Sequence, residues 1–164
     1  MTYIESKDNN LFKHIKKLKE RRVRDKEGLY ILEGLRLIEE AIKAKVEIEN
    51  IIISKDYEDK FEGFLIKSNE LNIKTNILSN NLFSQIASTE NPQGIIAIAK
   101  KKDNEKTLSG DFYLICDKVQ DPGNLGTIIR TVDSVGLKQI LVSKDTADAF
   151  NSKVVRSTMG AIFR

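Results

Sequence analysis

Three observations predict an α/β protein. Short apolar runs rich in Ile and Leu alternate with segments whose apolar residues recur at helical spacing. The polar stretch 101–111 carries no apolar period and divides the chain. Beyond it, a strand, a helix and a second strand follow at the spacing of a βαβ unit, which implies parallel pairing with a right-handed crossover. The expected architecture is a small α/β sandwich over 1–100, a linker over 101–111, and a parallel α/β unit over 112–164.

Taken in order, Asp8, Asn9 or Asn10 can cap a first helix with Leu11, Ile15 and Leu18 on its inner face. Leu29–Leu32 reads as a short buried strand closed by Glu33-Gly34, and Leu35, Leu37, Ile38, Ala41 and Ile42 mark the next helix. Ile51-Ile52-Ile53 forms the heart of a strand from Ile48 to Ser54. A helix over Asp56–Leu71, a strand over Ile73–Leu78 and a short helix over Asn80–Ala87 follow. Asn91-Pro92-Gln93-Gly94 then turns the chain into a strand over Ile95–Ala99. In the second part Phe112–Cys116 reads as a fully buried strand and Gln139–Ser143 as its partner. Asn151 can cap a last helix with Val155, Met159 and Ile162 inside.

Composition narrows the function. One cysteine, Cys116, excludes a disulfide framework and a cysteine zinc site within one chain, and one histidine, His14, excludes a histidine metal cluster. No apolar segment is long enough to span a bilayer, so a reduced, cytoplasmic protein with no membrane association is expected. The net charge of +3 is unevenly placed. Lys13, Lys16, Lys17, Lys19, Arg21, Arg22, Arg24 and Lys26 stand against Glu20 and Asp25, so this window carries +6 and the rest of the chain −3. A one-signed local field suits a phosphate-tracking surface; the competing reading is a solvated helix face.

The most informative stretch is Asp121-Pro122-Gly123-Asn124-Leu125-Gly126-Thr127-Ile128-Ile129-Arg130-Thr131. Pro-Gly suits a tight turn, and Asn124 can cap the helix whose apolar face holds Leu125, Ile128, Ile129, Val132 and Val135. Arg130 lies off that face, four residues after Gly126, and can run back over the bare glycine toward the loop. A permanent cation beside the free N–H groups of a helix start suits an anionic or developing-negative oxygen. Two bland readings compete: Asn124 is a cap only, and Arg130 pairs with Asp133.

This stretch resembles the first signature of the SpoU/TrmH-type RNA ribose 2′-O-methyltransferases of the trefoil-knotted SPOUT superfamily. Their Asn-x-Gly-x-x-x-Arg pattern is matched by Asn124, Gly126 and Arg130. Glu33-Gly34 with Arg36, Pro92-Gln93-Gly94, Lys153-Val154-Val155-Arg156 and Met159-Gly160 also sit where the family has similar residues. The resemblance implies homodimers that transfer methyl from S-adenosylmethionine to a ribose 2′-hydroxyl of structured RNA, rRNA or tRNA. It implies that Arg130 activates the hydroxyl and Asn124 orders loop and substrate. It also implies a ribosomal-protein-like RNA-binding domain ahead of the SPOUT domain. Arg36, Lys153 and Arg156 are further candidate RNA contacts, with an ordinary exposed helix face as the alternative.

The chain ends at Arg164, before the family's second and third motifs, which supply most of the cofactor pocket and the knot. The expectation is therefore a truncated form with no cofactor-binding residues of its own, inactive alone. Physics points the same way, since two strands and two helices cannot close a core unaided. Two other functions compete. One is a catalytically silent RNA-binding protein or fragment. The other is dinucleotide binding, on the Gly-rich turn and Asp145; Asp121 stands where that fingerprint needs its first glycine, and Pro122 removes an N–H.

Overall fold

A computed structural model of the chain describes residues 1–102, 112–137 and 139–164. Most of the expected linker, 103–111, lies outside the described residues. The first part is a five-stranded mixed sheet: β1 (Thr2–Ile4), β2 (Leu29–Glu33), β3 (Ile48–Ser54), β4 (Lys74–Leu78) and β5 (Ile95–Lys100), in the order β1-β4-β3-β5-β2. The pairs β1–β4 and β4–β3 are parallel, whereas β5 runs antiparallel to both β3 and β2.

Both faces of the sheet are covered, so its strands are apolar on both sides and alternate between two cores. Tyr30, Leu32, Ile51, Ile53, Ile95, Ala97 and Ala99 face one helical layer. That layer comprises α3 (Leu35–Lys43) and α4 (Glu62–Glu70), the latter preceded by two 3-10 turns over 55–61. Ile31, Ile52, Ile96 and Ile98 face the other, formed by α1 (Asn10–Lys17), α2 (Arg21–Glu27) and α5 (Asn80–Ile86). Asn9 caps α1, accepting from Leu11 N at 2.9 Å, and the inner face is Phe12, Ile15 and Leu18, with Leu11 only partly covered. The edge strand β1 was not foreseen: it is only three residues long and has a single buried side chain, Ile4.

In the second part β6 (Leu114–Cys116) pairs in parallel with β7 (Ile140–Val142) beside α6 (Pro122–Ser134), followed by α7 (Ser152–Ser157). The buried strand expected over Phe112–Cys116 is shorter and one-sided: Phe112 is 81% and Ile115 68% exposed, while Cys116 packs under Leu125 and Val154. A two-stranded pair covers only one of its faces. The last helix does not stay with this small core. Val155 and Phe163 enter the first core beside Tyr30 and Leu37, and the Phe150 ring lies 5.0 Å from that of Tyr30. The two parts are thus packed together along β2.

Candidate RNA-modifying site

The start of α6 differs from expectation in a useful way. Asp121, not Asn124, is the N-cap: its Oδ1 accepts from Asn124 N at 2.7 Å, and Pro122 opens the helix instead of forming a turn. Asp at N-cap followed by Pro at the first helical position is the favoured chemistry, since Pro lacks the N–H that would go unpaired there. Asn124 therefore sits in the first turn, exposed, with its side-chain amide unengaged among the described residues.

Gly126 is buried, and its bare side is filled by α7. A Cβ there would lie 1.8 Å from Ser157 Oγ, and that hydroxyl in turn lies 3.2 Å from Pro122 O and 2.7 Å from Val154 O. Arg130 consequently cannot lie over Gly126. It is exposed and reaches across to the turn after α7, where Nη1 donates to Met159 Sδ at 3.0 Å. A thioether is a weak acceptor, so the guanidinium keeps its charge uncompensated. The alternative partner, Asp133, is taken by Arg164 in a bidentate pair (Nε–Oδ1 3.1 Å, Nη2–Oδ2 2.7 Å). That guanidinium holds the Asp133 carboxyl below its ordinary 3.8.

Met159 was expected inside α7, but the helix stops at Ser157. Met159 and Gly160 then take left-handed conformations (φ 51° and 93°), which turn the thioether outward. Met159 also lines a cleft of about 250 Å³ between α3 and the α7 turn, together with Gly34, Arg36, Leu37, Gln93 and Arg156. Three candidate arginines thus converge on one wall: Arg36 and Arg156 in the cleft, Arg130 on its rim through Met159. Arg36 is exposed and makes no hydrogen bond or ion pair among the described residues. Arg156 Nη1 is buried without a hydrogen-bond partner, a state that costs about 1–3 kcal/mol or more for a charged group.

Gln93, expected to serve turn chemistry only, also builds this cleft. Its Oε1 accepts from Leu35 N at 3.2 Å, bridging the entry of β5 to the start of α3. Gly34, at φ 104°, could not carry a side chain without meeting that same oxygen at 3.1 Å. Glu33 is buried, with Oε2 accepting from Ser88 N and Oε1 from Thr89 Oγ1.

The basic window divides into roles. Arg24 is corrected outright: it is 4% exposed, too deep for an RNA contact. Its Nη2 pairs with Asp148 Oδ2 at 2.5 Å while Nη1 donates to Leu18 O and Lys19 O, bolting α2 to the second part. Lys19 donates to Gln85 O and Ala87 O, and partial burial lowers its pKa. Lys13 pairs with Asp8 and Arg21 with Asp25, both at the surface. Lys16, Lys17, Arg22 and Lys26 are exposed, and Lys153 is exposed on α7. Among the described residues no group of His, Cys, Asp and Glu could hold a metal ion, and no helix is long and apolar enough to cross a membrane.

A five-stranded mixed sheet carrying basic helices, docked to a small parallel unit, defines a two-part α/β protein. The chain belongs to the MRM3-like substrate binding domain family, whose model matches residues 9–97, and residues 111–164 match the SpoU rRNA Methylase family. It is 39% identical over 163 residues to the Bacillus subtilis 23S rRNA (guanosine(2553)-2′-O)-methyltransferase RlmP, covering 99% of this chain and 63% of that one. It is 37% identical over 162 residues to human mitochondrial rRNA methyltransferase 3, covering 90% of this chain and 36% of that one. The AdoMet-bound rRNA methyltransferase from Sinorhizobium meliloti superposes with a TM-score of 0.79 at 29% identity, covering 98% of this chain and 61% of that one. The chain thus spans less than two thirds of the length of these relatives.

Proposed function

We propose that this protein takes part in 2′-O-methylation of ribose in rRNA, with Arg130 as the residue that activates the hydroxyl. The observation that carries the reading is an exposed guanidinium with no carboxylate partner among the described residues, held by a thioether at the junction of the two parts. A guanidinium keeps its proton in proteins, so Arg130 acts as a fixed cation and not as a proton acceptor. It donates hydrogen bonds to the 2′-oxygen as negative charge develops there, and the proton departs to solvent. Asn124, one turn and a half earlier on α6, has a free amide suited to orienting the ribose.

S-adenosylmethionine is the methyl donor this family implies, and it would supply an electrophilic methyl group. Among the described residues, the polar groups at the ends of the two strands bond to one another. At the C-terminal ends of β6 and β7, Ser143 N and Thr146 Oγ1 both donate to Cys116 O, and Lys118 N donates to Ser143 Oγ. The first turn of α6 is closed by Asp121. The reading therefore assigns this chain the substrate side of the reaction: RNA docking by the first part and hydroxyl activation by α6.

RNA docking falls to Lys16, Lys17, Arg22 and Lys26, with Lys13, Lys19 and Arg21 as weaker contributors already engaged with neighbours. Lys153 extends the cationic surface on α7. A cytoplasmic location belongs to the same reading, supported by the bacterial rRNA-modifying relative; a homodimeric complete protein rests on the family resemblance alone. A second reading, RNA binding without catalysis, draws on the exposed basic residues of the first part. Methyl transfer to RNA separates them: a 2′-O-methyl group makes the adjoining phosphodiester resist alkaline hydrolysis. Labelled methyl in alkali-resistant dinucleotides supports the enzyme; RNA binding with no such product leaves the silent binder.

A further inference from the structure

Resting on the RNA reading above, we propose that the cleft between α3 and the α7 turn is a single-nucleotide site. It holds the phosphate and base of a nucleotide neighbouring the ribose presented to Arg130. The strongest pointer is Arg156, a half-buried guanidinium lining the cleft whose Nη1 has no hydrogen-bond partner among the described residues. Buried polar groups in native structures are nearly always paired, so a ligand acceptor completes this one. Arg36, from the first turn of α3, lines the same cleft; Glu40 on the same helix attracts it, but it makes no hydrogen bond or ion pair among the described residues. A phosphate between them ties the two parts of the chain to one ligand.

The remaining wall suits a base. Leu37 and Met159 offer an apolar and polarisable surface of the kind on which a base packs. Gln93 directs Oε1 to Leu35 N, which leaves its NH2 group as a donor toward a base edge. Two carboxylates also line this wall, each with partners of its own. Glu33 is engaged by Ser88 and Thr89, and Glu40 pairs with Lys43 at 2.9 Å. A volume of about 250 Å³ admits one unstacked nucleotide and excludes a duplex, so the site selects single-stranded RNA.

The test titrates the chain with adenosine 3′,5′-bisphosphate, with inorganic phosphate, and with a long single-stranded RNA. Saturable bisphosphate binding is expected, weakened at least about tenfold by Arg156→Gln and by Arg36→Gln, consistent with loss of a charge-assisted contact. Arg36 is exposed, so its variant keeps the test meaningful even if Arg156→Gln disturbs folding. Inorganic phosphate should compete only weakly. Bisphosphate affinity unchanged in Arg36→Gln, affinity matched by phosphate alone, or no binding at millimolar bisphosphate overturns the site. If the long RNA still binds in that case, the RNA reading survives without the cleft; if the long RNA does not bind, the RNA reading itself fails.

Discussion

Gly126 shows how a single side-chain absence joins two helices. A methyl group there would meet Ser157 Oγ at 1.8 Å and Ser157 Cβ at 2.7 Å, so α6 and α7 must separate to admit it. Gly126→Ala should destabilise the fold by about 1–3 kcal/mol, the usual cost of overpacking, read as a lower urea midpoint. Adding Ser157→Gly should recover part of the loss. An unchanged midpoint in Gly126→Ala would mean that the contact is loose. The glycine's importance was legible in the sequence, but its reason was not. It makes room for a serine thirty-one residues away, and not for Arg130. Nothing local in a sequence encodes that approach, and the same holds for Arg24. A basic residue in a basic window reads as surface, and only Asp148, far along the chain, turns it inward.

At the scale of elements, β2, β3 and β5 were the most legible because their apolar runs face both layers, whereas β1, with one buried side chain, was not foreseen. Helix ends were less so. The Asp121-Pro122 pair did carry a helix-start signal that the Pro-Gly turn reading overrode, and α7 ended two residues before Met159. The 3-10 turn over Ala161–Phe163 is held back against α6 by Arg164 on Asp133. Because the folded carboxyl titrates below its ordinary value of 3.8, the pair contributes stability above that pH, and the contribution is lost as pH falls through the lowered pKa. Asp25, lowered chiefly by its hydrogen bond from Lys101, behaves in the same direction. Thermal stability should therefore decline as pH drops below about 4, and Asp133→Asn should flatten part of that decline. An Asp133→Asn profile that overlays the parent would remove the pair from the account.

At the scale of the whole molecule, the two parts act as one body through Arg24–Asp148, Tyr30–Phe150 and the insertion of Val155 and Phe163 into the first core. Composition suggests a division near residue 101; this docking is not readable there, because the residues that make it lie more than a hundred positions apart. Arg24→Ala leaves Asp148 and two carbonyls without their donor, so it should cost about 3–5 kcal/mol. Its urea transition should also fall well below that of Arg22→Ala, whose side chain is exposed. Equal midpoints would contradict the bolt. On the open face, Lys16→Glu, Lys17→Glu and Arg22→Glu together should weaken RNA affinity and flatten its dependence on salt, since fewer counterions are released. Unchanged affinity and slope would return that face to plain solvation.

The central claim is that Arg130, free of any carboxylate, stabilises the ribose oxygen during transfer. Single-turnover methyl transfer, measured with the longest form of the protein that carries this sequence, tests it most directly. Arg130→Ala should lower the rate by at least about a hundredfold, the usual loss on removing a transition-state donor, while RNA affinity and the urea midpoint stay near the parent values. A variant that turns over at the parent rate would contradict the claim and leave the arginine a surface residue resting on Met159.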